Sequence, residues 1–147
     1  MKTIKKNVYY CDFCKKKGLS AGHMNTHEKH CTGNPDRICR LCGSISMSLP
    51  EITKTFRTRY KIHQIDKGEN YALYSEKLEW KGKEITMDEI TDHADGCPNC
   101  TLAIMRQSGL THYLFQNSLK FDYKKALAEY WKEKNYEEGR LDEQNYY

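Results

Sequence analysis

The spacing of seven cysteines constrains this 147-residue chain more than any other feature of its sequence. Six of them form Cys-x2-Cys pairs (Cys11/Cys14, Cys39/Cys42 and Cys97/Cys100), and the seventh, Cys31, follows His27 by four positions. An odd count fits a disulfide framework badly, and Met1 to Lys6 runs straight into the first pair without an apolar leader. Short-spaced thiols in that setting read as metal ligands, and a reducing, cytoplasmic location is expected. Nowhere do about 18 apolar residues run together, so neither a membrane span nor a membrane partner is expected.

Metal would also answer a shortage of core. Only 38% of the residues are hydrophobic, 30% are charged, and the mean hydropathy is −0.88. A small chain of that composition buries too little apolar surface to rely on it alone, and metal ligation is one of the known supplements.

Zinc takes four tetrahedral nitrogen or sulfur ligands, and two groups of four can be drawn. Cys11 and Cys14 are followed by His27 and Cys31, which lie four apart and so share one helix face. Cys39, Cys42, Cys97 and Cys100 make the second group, and together the two groups use every cysteine. Two zinc ions are therefore expected, each closed by protein ligands and hence structural rather than catalytic. Other pairings stay open. His30 is an alternative to Cys31, a shared ion on Cys31, Cys39 and Cys42 is conceivable, and one Cys-x-x-Cys can be a redox pair. That last motif wants a βαβ unit, of which there is no sign.

Between the metal motifs the local signals are mixed. Thr32-Gly33-Asn34-Pro35-Asp36 is a turn and a boundary. Leu49, Ile52, Phe56 and Tyr60 have helical spacing, while Phe56, Thr58, Tyr60 and Ile62 alternate as a strand does. Glu79 to Ile85 is expected to form a short hairpin around Gly82. Thr86 and Glu89 match a capping box for a helix from Met87 to about Ala94 that stops near Gly96. His93 would cap its end. Pro98 suits the first turn of another helix. Tyr123, Leu127, Tyr130, Trp131 and Lys134 place an apolar stripe on a C-terminal helix, and the polar end from Glu137 to Tyr147 is expected to fray.

Cys11-x2-Cys14-x12-His27-x3-Cys31 resembles the Cys2His2/Cys2HisCys zinc-finger family over residues 9–31, about a sixth of the chain. The resemblance implies a ββα unit, an aromatic before the first cysteine (Tyr9) and a core residue three before the histidine (Met24). It departs at Gly18, where the family carries Phe, with Leu19 one step away. It further implies that Ser20, His23 and Thr26 face DNA bases. Gly43 after the second pair, and the helix signal after the third, point to a treble-clef-like knuckle, hairpin and helix.

The fold expected is therefore α+β: a finger over residues 1–34, a four-cysteine module over 35–118, and a C-terminal helix and tail over 119–147. Charge adds a functional expectation. Residues 1–61 carry 13 Lys/Arg against 4 Asp/Glu, whereas 62–147 carry 11 against 16. A basic half is the footprint of a nucleic-acid binder, DNA ahead of RNA here. Arg37, Arg40, Arg57, Arg59 and Lys61 are the candidate phosphate contacts, and Tyr9, Tyr10 and Phe13 the candidate stacking groups. A zinc-stapled adaptor that binds a protein through its C-terminal helix is the alternative. A third reading is a nuclease resembling the His-Asn-His type, prompted by Asp92-His93 ahead of Cys97. It is disfavoured because His112 and Asn117 follow in the wrong order.

Overall fold

The computed structural model describes residues 1–44, 49–66, 74–137 and 139. Two short strands, β1 (Tyr9–Tyr10) and β2 (Lys17–Gly18), pair antiparallel and lead into helix α1 (Ala21–His30). Ser20 starts α1 by accepting the His23 N–H on its hydroxyl, at 3.3 Å. Met24 is the buried residue of α1 and packs with Cys11 and Cys31. Its Cε lies 3.2 Å from where a Cβ at Gly18 would stand, so the methionine fills the space that an aromatic at position 18 would need.

The larger part of the chain follows as helix α2 (Leu49–Thr58), strands β3 (Tyr60–Asp66) and β4 (Tyr74–Trp80), and helices α3 (Met87–His93), α4 (Pro98–Gln107) and α5 (Tyr123–Glu137). The architecture is α+β, with two small antiparallel sheets. The two competing periods around Phe56 are both real, and they divide at Arg59. Leu49, Thr53 and Phe56 bury one face of α2, and the chain then extends so that Tyr60 and Ile62 face the same core. In the β3–β4 register Tyr60 stands opposite Trp80 and Ile62 opposite Leu78. Phe115 closes this cluster, edge-on to Tyr60 at 4.9 Å and to Trp80 at 5.6 Å between centroids.

Three expectations require correction. The hairpin around Gly82 does not form: β4 pairs with β3, and Gly82, at φ +119°, turns the chain so that Ile85 enters the core. The apolar match of Tyr60 and Ile62 with Trp80 and Leu78 outweighs the local turn signal, because Lys83 and Glu84 offer nothing to pair. On α5, Tyr123, Leu127, Tyr130 and Lys134 are half-buried, but Trp131 is exposed, being one helical step round. His93 does not cap α3; its ring packs edge-on to Phe56 at 5.5 Å. Of the end from Glu137 to Tyr147 expected to fray, Glu137 is the last residue of α5, and the rest, apart from Gly139, lies outside the described residues.

The predicted starts of α3 and α4 hold. Thr86 accepts the Glu89 N–H at 3.2 Å, but Glu89 turns its carboxylate to Arg59 instead of back to the cap. Pro98 occupies the first turn of α4, and Gly96, at φ +72°, links the two helices. No described helix is long and apolar enough to cross a membrane.

Candidate metal centres

Both centres begin with the same backbone device. In Cys11-x2-Cys14 the Cys11 N–H reaches Lys16 O at 2.8 Å and the Lys15 N–H reaches Cys11 O at 3.0 Å. In Cys39-x2-Cys42 the Cys39 N–H reaches Ser44 O at 3.1 Å and the Gly43 N–H reaches Cys39 O at 3.0 Å. The residue after each second cysteine has positive φ, 61° at Lys15 and 71° at Gly43. The turn curls the backbone around the sulfurs, and the Leu41 N–H points at Cys39 Sγ from 3.4 Å. The remaining ligands come from helices. His27 and Cys31 leave the C-terminal end of α1, and Cys97 and Cys100 stand at the start of α4. Between its two cysteine pairs the second centre runs through α2, the β3–β4 ribbon and α3 before the ligand-bearing helix α4.

The ligand atoms of Cys11, Cys14, His27 and Cys31 lie within 4.8 Å of one another, as do those of Cys39, Cys42, Cys97 and Cys100. A tetrahedral zinc with Zn–S of about 2.3 Å separates two sulfurs by about 3.8 Å, and a sulfur from an imidazole nitrogen by about 3.5 Å. Here Cys39 and Cys97 sulfurs are 3.7 Å apart, Cys42 and Cys100 3.6 Å, and Cys14 Sγ and His27 Nε2 3.2 Å. A disulfide would bring sulfurs to about 2.05 Å, and all seven cysteines are free thiols. The donor sets are those of two zinc sites. Among the described residues, no third convergence of Cys, His, Asp and Glu matches them.

The alternatives for the first site close as well. His30 Nδ1 meets the Ile38 carbonyl at 2.8 Å, which ties α1 to the following linker, while Cys31 completes the donor set. Cys39 and Cys42 are committed to Cys97 and Cys100, so no ion is shared with Cys31.

Electrostatics separates the thiols within each set. Burial works against a low pKa at Cys14, yet the Lys16 N–H and the side chains of His27, Cys31 and Cys11 outweigh it and bring the thiol down to about 7. Cys31 is pushed up to about 11, first by burial and then by its neighbours Cys14 and Cys11. In the second set the hydrogen bond between Cys97 and Cys100 divides the pair. Cys97 goes up and Cys100 down, with Ser44, Arg37 and Cys42 also favouring a thiolate at Cys100. Zinc binding must displace the protons that remain.

Arg37 decides the charge balance of the second centre. It is only 1% exposed, its Nη1 is 3.7 Å from Cys100 Sγ, and its Nε has no hydrogen-bond partner among the described residues. Among those residues no carboxylate pairs with it either. A buried guanidinium needs an anion, and the thiolate cluster beside it is one. Arg37 is therefore no phosphate contact, contrary to the expectation from its place in the basic half. Arg59 is also engaged: it binds Glu89 at 2.5 Å and the carbonyls of Lys83 and Glu84. Arg40, Arg57 and Lys61 are exposed.

The three positions expected to face bases differ in what they have left to offer. Ser20 caps α1, and Thr26 donates to Gly22 O at 3.1 Å. His23 is exposed, and its ring makes no hydrogen bond among the described residues. Of the nuclease candidates, His93 packs on Phe56, while His112 accepts the Leu114 N–H and meets Glu76 at 3.0 Å.

Comparison with known protein families, curated proteins and solved structures finds no match to this chain. Its function is therefore read from the donor sets and from the surface charge.

Proposed function

We propose that this is a nucleic-acid-binding protein, built on a Cys2HisCys finger and a four-cysteine module whose zinc ions are structural. Each donor set supplies four protein ligands, which leaves no coordination position for water or substrate. The observation that carries the reading is the unneutralised basic surface of residues 1–61. All of their Lys and Arg residues except Arg37 and Arg59 are exposed, and none of the exposed ones lies within ion-pair distance of a described carboxylate. Such a surface attracts phosphates and releases their counterions. DNA stands ahead of RNA because the resemblance of residues 9–31 places His23 on the outward face of α1.

Fluorescence anisotropy with labelled duplex DNA, single-stranded DNA and RNA across a salt series tests the proposal. Affinity that falls steeply and linearly in log–log form with salt supports it. An absence of binding at low salt to all three overturns it. The adaptor reading keeps one observation of its own: Trp131 on α5 is 49% exposed beside Tyr130. A salt-insensitive protein complex that is lost with Trp131→Ala would favour that reading.

A further inference from the structure

A cleft of about 880 Å³ lies between the N-terminal unit and the α2–α4 face. Three cations reach it from three distant segments: Lys16 from the β1–β2 turn, Arg57 from α2 and Arg106 from the last turn of α4. No described Asp or Glu lines it. Holding three cations around one cleft costs repulsion that an anion would relieve. Both arginines are also oriented. Arg57 Nε donates to Gln107 O at 2.7 Å and Arg106 Nη1 to Thr32 Oγ1 at 2.6 Å, so each fork keeps its other N–H groups for a ligand.

The wall formed by the first knuckle presents Phe13, which is 43% exposed. Gly33 packs closely behind it: a Cβ there would stand 3.3 Å from the Phe13 carbonyl oxygen and 3.3 Å from its Cβ. An exposed aromatic on a closely packed backbone, beside a cationic, concave groove, suits a strand whose bases are unstacked and available. A duplex keeps its bases in the stack and so leaves Phe13 without a base to pack on.

We infer that this cleft is a binding site for single-stranded nucleic acid, with phosphates on Lys16, Arg57 and Arg106 and a base on Phe13. The inference rests on the nucleic-acid reading above and adds the location and the strand state. It has a second consequence. Cys14 and His27, ligands of the first zinc, line the same cleft, whereas no ligand of the second zinc does. A bound strand would screen the first zinc from chelator and leave the second open.

The probe is a fluorescein-labelled oligothymidylate about a dozen nucleotides long, within the span of known single-strand sites. The full-length zinc-loaded chain is used, and the zinc content of every variant is measured. Phe13→Ala is expected to weaken binding on the order of five- to a hundredfold. Lys16→Gln and Arg57→Gln are each expected to lower the salt slope by about 0.7. Lys132→Gln on α5 serves as the charge control and is expected to change little. The oligonucleotide is expected to slow chelator removal of one zinc of the two, and Cys14→Ser locates it at the first site.

Binding that is equally sensitive to Lys132→Gln and to the cleft variants, or that leaves release of the first zinc unaltered, overturns the cleft and spares the nucleic-acid reading. Preference for duplex overturns the strand state assigned to it. Failure to bind any nucleic acid at low salt overturns both proposals.

Discussion

Replacing Arg37 with Met keeps most of the buried stem and deletes the cation, so it isolates what the charge does for the second zinc. With Zn2+ bound to four thiolates the second site carries a nominal charge of −2, or about −0.5 per sulfur. At the observed 3.7 Å between Nη1 and Cys100 Sγ, a unit charge against half a charge gives about 2 kcal/mol at an effective dielectric of about 20. The desolvation cost of the guanidinium is present with or without metal and cancels in the zinc affinity; the attraction that Arg37 already exerts on a metal-free Cys100 thiolate cancels too, so about 2 kcal/mol is an upper bound. That bound corresponds to at most roughly thirtyfold weaker zinc binding, inside the range of about 10- to 100-fold usual for groups that support metal ligands. The assay is a stepwise zinc competition with a chromophoric chelator. One zinc is expected to leave more readily, by up to about thirtyfold, and the other to be unaffected, while Arg37→Lys recovers part of the loss. Stability of the zinc-loaded chain is expected to fall as well, since removing one partner of a buried charge pair leaves the other uncompensated and structural zinc binding contributes directly to folding. Unaltered affinity for both ions, or equal weakening of both, would refute the electrostatic role.

Three other changes have defined outcomes. Gly109 has φ +74°, and a Cβ there would stand 2.5 Å from the Tyr60 hydroxyl, which is held between Trp80 and Phe115 and donates to Ser108 O at 2.6 Å. Gly109→Ala is expected to cost about 2–3 kcal/mol in urea unfolding, from backbone strain and the displaced hydrogen bond. The hydrogen bond from Arg59 holds the Glu89 carboxyl below its ordinary range. Stability from that pair is present above the ordinary glutamate pKa and is lost as pH falls through the lowered one. Glu89→Gln should therefore destabilise by about 1–2 kcal/mol at neutral pH, and its difference from wild type should shrink on acidification. Cys11→Ser should unfold residues 9–31 and release one zinc while the second, set in the main core, remains. Native mass spectrometry reads this directly, and loss of both ions together would show one cooperative unit.

The ligand sets were legible because Cys and His at short spacing carry their chemistry in their identity, and no packing decides it. Thr86 and Pro98 marked their helix starts for a similar reason: a cap and a missing N–H act locally. Phe56, Tyr60 and Ile62 were ambiguous because their spacing satisfies a helix and a strand at once, and only the core contacts divide them at Arg59. The partner of β4 is not legible locally, because strand pairing is settled by apolar residues some twenty positions away and not by the glycine nearby. Arg37 read as one more surface cation; its burial follows from Cys100, 63 residues on. The cleft cations Lys16 and Arg106 were invisible as a group, since nothing short of the fold brings them together.

Both metal centres are tested at once by the zinc stoichiometry of protein prepared without added metal, by native mass spectrometry with elemental analysis. Two zinc ions per chain are predicted, one for each donor set. One ion or none would contradict that prediction, since at least one of the two clusters would then be something other than a zinc site.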